Sequence, residues 1–183
     1  MKKILLLIGS VLLINAAYAQ DEGDTQKIST KLEAFQAKTG IVVIRGYTTV
    51  GRIRALGLIS VDARDFRDAS NPKIRLTGVS ITVKESGRLE RENIAFIDGD
   101  EVDSLLAGLD YISKATKDVS SLESFEVEYR TKGGFRITVF NDSNGELSVA
   151  VSAGSIGKTS VYLKLPQLLE LRQLIIDAKA KTA

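Results

Sequence analysis

Residues 73–85 read KIRLTGVSITVKE, and this stretch decides the fold class of the chain. Apolar and polar side chains alternate along it with a period of two, which is the pattern of a β-strand with one buried face. The alternation changes phase at Gly78, because apolar residues occupy even positions before it and odd positions after it. A glycine at a phase change is typical of a β-bulge, so the sequence predicts a bulge at Gly78.

The segments on both sides of this strand continue the same period. They predict further strands at residues 41–49, 52–61 and 92–97. The first two are predicted to join near Gly51, and the charged, turn-rich residues 62–72 (DARDFRDASNP) favour a connection. Residues 100–115 show helical spacing instead. The buried stripe predicted for this helix is Val102, Leu105, Leu109 and Ile112.

The pattern of strands followed by a helix appears again in the second half of the chain. Period-two segments predict four more strands, at residues 125–130, 135–140, 146–152 and 159–163. Asn144 and Gly145 are a strong signal for a type I′ hairpin between the second and third of these strands. Pro166 fits the first turn of a final helix. The inward side of that helix is predicted to carry Leu168, Leu171, Leu174 and Ile175.

These elements predict an α+β fold that is mainly antiparallel β-sheet with N-terminal, central and C-terminal helices. The N-terminal helix is predicted over residues 25–38. Hairpin-sized loops between the strands argue against a parallel sheet. We expect one domain over residues 25–183. An internal repeat of two β4-α units would divide it into residues 25–116 and 121–183.

The order of these elements resembles that of Whirly-type single-stranded nucleic-acid-binding folds, which carry two such units. The resemblance covers most of the chain after residue 24, but it concerns the order of elements alone and includes no diagnostic motif. It therefore implies a fold, and it assigns a function to no residue of this sequence.

The N-terminus predicts a cleavable signal peptide at residues 1–19. Lys2 and Lys3 precede an apolar run at residues 4–16, and Ala17-Tyr18-Ala19 (AYA) matches a small-x-small cleavage site. The apolar run is shorter than the 20 or so residues that span a bilayer, and a polar leader follows it at residues 20–24. We expect a bacterial envelope protein that is exported to the periplasm or secreted, with no membrane span after cleavage.

The composition excludes several classes of chemistry. The chain has no histidine, cysteine or tryptophan. The Ser-His-Asp triad, cysteine nucleophiles and the usual zinc, copper and haem ligand sets are therefore excluded. Carboxylate chemistry, Ser–Lys pairs and oxygen-ligand cation sites remain open. We expect no cofactor and no metal site, and the chain offers no convincing catalytic group of residues.

Two short motifs favour structural interpretations over ligand binding. Residues 152–160 (SAGSIGKTS) approach a phosphate-binding loop, but a serine stands where that motif needs its first glycine, and a strand follows instead of a helix. A hairpin turn explains the glycines better. Residues 98–103 (DGDEVD) invite a calcium interpretation, but the glycine spacing differs from that of an EF-hand. Capping of the central helix by Asp100 is the favoured interpretation.

Charge is distributed unevenly along the chain. Without Lys2 and Lys3, the 25 basic residues become 23, which equals the 23 acidic residues. Residues 45–91 nevertheless hold ten basic and five acidic residues, whereas residues 92–128 hold two basic and ten acidic. If the basic strands share a face, that face could hold an anionic partner. The candidate binding residues are Arg45, Tyr47, Arg52, Arg54 and Arg75.

The favoured function is therefore a non-catalytic binding module that acts by contact with an unknown protein partner or by self-association. Compensation of the two charged segments within the chain is the simplest interpretation of the charge pattern. One alternative is binding of a polyanion, either single-stranded nucleic acid or another acidic polymer, on the arginine-bearing strands; the neutral overall charge argues against nucleic acid. A second alternative is a carboxylate-based hydrolase, which predicts two converging carboxyl groups, at least one with a raised pKa.

Overall fold

The computed structural model describes residues 30–87, 90–142, 144–154 and 157–182 of the chain. Within these ranges the protein has two four-stranded antiparallel sheets and three α-helices, which confirms the predicted α+β fold. The predicted signal peptide, the polar leader and the first residues of the predicted N-terminal helix lie outside the described residues. No helix in the described ranges is both long enough and apolar enough to cross a membrane.

The first half of the chain forms a helix, a four-stranded meander and a second helix. Its elements are α1 (Lys31–Gln36), β1 (Val43–Arg54), β2 (Gly57–Asp68), β3 (Asn71–Glu85), β4 (Arg91–Asp98) and α2 (Val102–Ile112). The strands lie in the order β1-β2-β3-β4, and each neighbouring pair is antiparallel. We call these four strands the first sheet.

The second half repeats the meander and the helix that follows it. A short 3₁₀ turn (Lys117–Val119) precedes β5 (Glu126–Arg130), β6 (Arg136–Asn141), β7 (Leu147–Ala153), β8 (Thr159–Leu163) and α3 (Leu165–Ala180). The strand order is β5-β6-β7-β8, again antiparallel throughout. We call these strands the second sheet. The two predicted β4-α units are therefore present.

One apolar core joins the two units. Its buried side chains come from strands of both sheets and from α2 and α3. Helix α3 follows the second sheet in the chain, yet it packs against β1, β2 and β3 of the first sheet as well as against β7. The stripe predicted for α2 is buried, as are Leu168, Leu171 and Ile175 of α3, and Leu174 packs at the edge of the core.

The β-bulge predicted at Gly78 is wrong, because β3 pairs with both of its neighbours in continuous register through this residue. The phase change has another cause. The second half of β3 faces the main core, while Leu76 in the first half packs with α1 on the opposite face of the first sheet. A side chain at Gly78 would collide with the backbone oxygen of Ile97 in β4 and with Leu32 of α1. The glycine therefore marks the close approach of a neighbouring strand and of a helix.

The turn predicted near Gly51 is also wrong. Strand β1 continues past this residue, and the chain turns at residues 55–56 instead. A register shift between Thr49 and Gly51 leaves Val50 as an extra residue, which is the geometry of a β-bulge. A side chain at Gly51 would collide with Leu174 of α3, so packing explains this glycine too.

Residues 62–72, predicted to be a connection, belong mostly to strands. Strand β2 runs to Asp68 and β3 begins at Asn71, so that only two residues form the turn. The charged side chains that suggested a loop are paired along β2. Arg64 binds Asp62 at 2.8 Å, and Arg67 binds Asp65 at 2.7 Å. Pairing of this kind reduces the cost of placing charge in a strand.

The carboxylates between β4 and α2 serve the N-terminal helix. Asp98 is buried and accepts hydrogen bonds from the backbone N–H groups of Lys31 (2.8 Å) and Leu32 (3.1 Å), in the first turn of α1. The prediction that Asp100 caps α2 is wrong. Glu101 occupies that cap position without a side-chain cap bond, and Asp100 binds the Lys31 ammonium group at 2.7 Å.

The hairpin between β6 and β7 forms at Asn144 and Gly145 as predicted, but the turn is not type I′. Of these two residues only Gly145 has a positive φ, at 76°, whereas type I′ requires a positive φ at both central positions. Strands β7 and β8 also form a hairpin, as predicted, although residues 155 and 156 of its loop lie outside the described residues.

Candidate functional site

Four of the five predicted binding residues lie together on the outer face of the first sheet, which points away from the main core. Each of these four residues of β1 lies directly opposite a residue of β2. The pairs are Arg45–Phe66, Tyr47–Arg64, Arg52–Ser60 and Arg54–Leu58. Directly opposed residues of an antiparallel pair share a face. The pair Ile53–Ile59, which lies between the two arginine pairs, points to the main core. Because neighbouring pairs along a strand point to opposite faces, the four candidate residues point away from the core. We call Arg45, Tyr47, Arg52 and Arg54 the arginine face.

The structure does not bring Arg75 together with the other four. Arg75 lies opposite Arg67 in β2, whereas the next residue, Leu76, lies opposite Phe66 on the outer face. Its Nε atom binds Asp65 at 3.1 Å. Arg75 therefore belongs to an ion-pair cluster on the other side of the sheet.

The bulge at Val50 is what assembles the arginine face. Arg45 and Tyr47 are at odd positions, and Arg52 and Arg54 are at even positions, so a regular strand would point the two pairs to opposite faces. The extra residue at Val50 reverses the alternation between them. Both pairs consequently point outward from one continuous strand.

The arginines of this face are the uncompensated part of the basic segment. All three are exposed, and none of them takes part in an ion pair within the part of the chain that the structure describes. Nearby basic side chains are paired, as Arg67 is with Asp65 at 2.7 Å. Tyr47 is 68 % exposed. The arginine face is thus both accessible and positively charged.

Arg64 fixes the aromatic centre of the face. Its guanidinium lies 4.9 Å from the centroid of the Tyr47 ring, a cation–π distance. Its Nε donates to Ser80 Oγ at 2.7 Å, and its Nη2 donates to Asp62 Oδ2 at 2.8 Å. Arg64 was not among the residues predicted from sequence, because residues 62–72 were predicted to form a connection. The alternation of Asp62, Arg64 and Phe66 is the signal that could have found it.

A shallow depression of about 240 Å³ adjoins Arg52 on this face. Hydroxyl groups of Thr49, Ser60 and Thr82 line it, together with the Lys84 ammonium group and the carboxylates of Asp62 and Glu92. Oδ1 of Asp62 is buried and has no hydrogen-bond partner among the described residues. The depression therefore places hydrogen-bond donors and acceptors beside the exposed arginines.

The basic and acidic segments do not neutralise each other through direct ion pairs. In the described ranges no ion pair joins residues 45–91 to residues 92–128. Acidic side chains of the second segment pair with helices α1 and α3 instead: Asp100 with Lys31, Asp103 with Lys179 and Asp110 with Arg172. The positive charge of the arginine face is left available for a partner outside the chain.

Carboxyl groups with a shifted pKa are held in the ionised form. A hydrogen bond from Arg67 lowers the pKa of Asp65, the Ser160 backbone N–H lowers that of Glu85, and Lys31 and Arg172 lower those of Asp100 and Asp110. The Ser160 bond, at 2.7 Å, joins β8 to β3 and so links the two sheets. These four pKa shifts are all downward, opposite in direction to the shift that the hydrolase alternative predicts.

These lowered pKa values predict a loss of stability in acid. A carboxyl group whose pKa is lower in the folded state stabilises the fold above its unfolded pKa, at about 4, and loses that contribution as pH falls through the folded value. We expect the free energy of unfolding, measured by urea titration, to fall steadily below about pH 4. An Asp110→Asn variant should show a smaller acid loss than the wild type. Equal acid losses in the two proteins would contradict the assignment of this effect to Asp110.

Comparison of the chain with protein-family models finds no match, and comparison with curated proteins finds none either.

Proposed function

We propose that the protein is a non-catalytic binding module that holds an anionic partner on the arginine face after export from the cytoplasm. The observation that carries this proposal is that three exposed arginines, which form no ion pair among the described residues, lie with Tyr47 along one side of a single strand. A rigid sheet positions these side chains, which lowers the entropy lost on binding. The predicted signal peptide supports an envelope or secreted location.

An acidic protein surface is the partner that this geometry favours first. The face is an open sheet surface beside a shallow depression. Arginine forms two parallel hydrogen bonds with a carboxylate, and arginine and tyrosine are enriched at the centres of protein interfaces. Neighbouring donors and hydroxyl groups supply the polar rim that such interfaces need.

A polyanion is the second candidate, and Tyr47 is the observation that favours it. Tyr47 is exposed on one side, while the Arg64 guanidinium lies against its ring. An exposed ring among arginines can stack on a nucleotide base while the arginines bind phosphates. The two candidates differ in what they require of this ring, because binding of an acidic protein does not depend on stacking.

The test uses two anionic probes, a fluorescent polyglutamate peptide and a fluorescent single-stranded oligonucleotide, followed by anisotropy at increasing salt concentration. We expect the Arg52→Glu/Arg54→Glu variant to bind at least about tenfold more weakly, because each charge reversal removes one attraction and adds one repulsion. Its affinity should also depend less steeply on salt. The Tyr47→Ala variant should lose affinity for the oligonucleotide alone if stacking contributes.

An Arg67→Glu/Arg75→Glu variant is the matched control. It carries the same change in net charge in the same sheet, but on the opposite face of that sheet. Affinity of this control should stay close to that of the wild type. If both double variants weaken binding equally, net charge rather than the arginine face determines affinity. If wild type binds neither probe at low salt, the proposed function is wrong.

A further inference from the structure

Large apolar side chains are exposed where helix α3 begins. Leu56, at the tip of the β1–β2 hairpin, is 79 % exposed, and Tyr111 near the end of α2 is 69 % exposed. Val119 and, in the first turns of α3, Leu165 and Leu169 are exposed as well. Single exposed apolar residues are ordinary, but a group of them at one end of a protein marks an interaction surface.

Two side-chain contacts place these residues at the same end of the molecule. Gln167 Nε2 donates to the backbone oxygen of Arg54 at 3.0 Å, which holds the β1–β2 hairpin beside the first turn of α3. Arg172 Nη2 donates to Asp110 Oδ2 at 2.9 Å, which holds the last turns of α2 beside the same helix. The two contact points on α3 are five residues apart, or about 8 Å along its axis. The hairpin and the end of α2 therefore flank the N-terminal half of α3.

The end of α2 borders a depression that can receive an apolar side chain. This depression has a volume of about 410 Å³, and Tyr111, Ala115 and Val119 line it together with Asp110 and Lys114. We call it the α2 depression. The exposed leucine at the hairpin tip is the matching convex feature, since Leu56 projects into solvent between the two strands.

The two sides of this end carry opposite charges. Residues 50–61 (VGRIRALGLISV), which form the hairpin, have two arginines and no acidic residue. Residues 118–126 (DVSSLESFE), which follow the α2 depression, have three carboxylates and no basic residue. Lys114, which lines the α2 depression, lies near Asp110, and Lys117 directly precedes the acidic segment, so residues 110–126 hold four carboxylates and two lysines.

We propose that this end of the molecule binds a second copy of the chain about a two-fold axis. The hairpin of each copy lies against the α2 depression and the acidic segment of the other, with Leu56 inserted into the depression. One rotation makes both contacts at once because the two features are at the same end, as an isologous interface requires. The inference rests on the proposed function in one respect: the anionic surface that Arg52 and Arg54 hold is here the acidic segment of a second copy.

The first test is the mass of the purified protein in solution by sedimentation velocity. We expect a dimer at about 100 µM, a concentration at which a micromolar Kd populates it, and dissociation on dilution. Leu56→Asp should weaken the dimer at least about tenfold, because it places a charge in the apolar contact. Val42→Asp is the matched control, since Val42 is 64 % exposed at the far end of β1 and should leave the dimer unchanged.

Charge reversal gives the decisive version of the test. Arg52→Glu/Arg54→Glu and Asp118→Lys/Glu123→Lys should each be monomeric, because each change sets like charges against each other at both contacts of the dimer. An equimolar mixture of the two variants should dimerise. In the mixed dimer the introduced glutamates face the introduced lysines, and the native arginines of one variant face the native carboxylates of the other.

The outcomes separate this inference from the proposed function. A wild type that stays monomeric at about 100 µM, where a micromolar dimer would form, overturns the dimer but leaves binding of the anionic probes to the arginine face intact. A dimer that survives both Leu56→Asp and charge reversal overturns the assigned surface. If the dimer forms as described and neither anionic probe binds, the self-association stands and the wider binding function fails.

Discussion

Replacing Asp98 with alanine is expected to lower the free energy of unfolding by about 2–4 kcal/mol, as measured by urea titration. The side chain is 3 % exposed and accepts hydrogen bonds from two backbone N–H groups in the first turn of α1. Alanine would leave both donors without a partner in a site that largely excludes water. Bonds to a carboxylate are the stronger kind, which is why one small side chain has so large an effect.

The matched control for this prediction is Asp100→Ala, two residues away. Asp100 pairs with the Lys31 ammonium group, but both side chains are 58 % exposed, and exposed ion pairs contribute at most about 1 kcal/mol. Asp98→Asn keeps one uncharged acceptor and should fall between the two. Hydrogen exchange in α1 should accelerate most in Asp98→Ala. Equal losses in the two alanine variants would show that Asp98 does not anchor α1.

The anchoring of α1 also sets the limit of the arginine face. Leu32 and Phe35 of α1 pack with Phe66 on the outer face of the first sheet. The helix therefore covers one part of that face and leaves the β1 side open, where Arg45 and Tyr47 are exposed. Release of α1 in Asp98→Ala would uncover an apolar surface next to the arginines. Binding of the anionic probes should be compared at equal fractions of folded protein for this reason.

Local patterns were sufficient to predict the second sheet and the helices that follow each sheet. The buried stripe of α2 and the inward side of α3 repeat at helical spacing, and both are found in the core. Strands β5 to β8 are short and are separated by glycine-containing turns, and each has one face that is buried or half-buried, so that period and turn signals agree. Where every local signal is consistent, sequence alone predicts the element.

The first sheet was harder to predict because part of it is buried on both faces. The main core covers one face, and α1 covers part of the other, so β3 changes its apolar phase at Gly78 without any bulge. The true bulge, at Val50, has no such phase signal on either side, because most of β1 before Val50 is exposed. A helix that is distant in sequence can bury part of a strand, and the local spacing of apolar residues in that strand does not reveal it.

The candidate site was predictable in its residue types and not in its geometry. An excess of arginine with an aromatic residue pointed to β1 and its neighbours. Which side chains share a face depends on register, and register depends on the bulge at Val50. Arg75 belongs to the same basic segment, yet it lies on the other face beside Asp65. Net charge is additive along a sequence, whereas a binding face depends on how strands pair.

Leu171→Ala in α3 is expected to lower the free energy of unfolding by about 2–5 kcal/mol, because Leu171 is fully buried and alanine leaves a cavity. The more informative result is where protection from hydrogen exchange is lost. Helix α3 packs on the first sheet as well as on β7, so one core should make both sheets open together. We expect exchange to accelerate by a similar factor in the most protected amides of β2 and β7.

Glu170→Ala, an exposed change one residue away, is the control and should accelerate exchange in neither strand. Acceleration confined to the second sheet would show that the two halves unfold as separate domains, and the single domain expected over residues 25–183 would then be wrong.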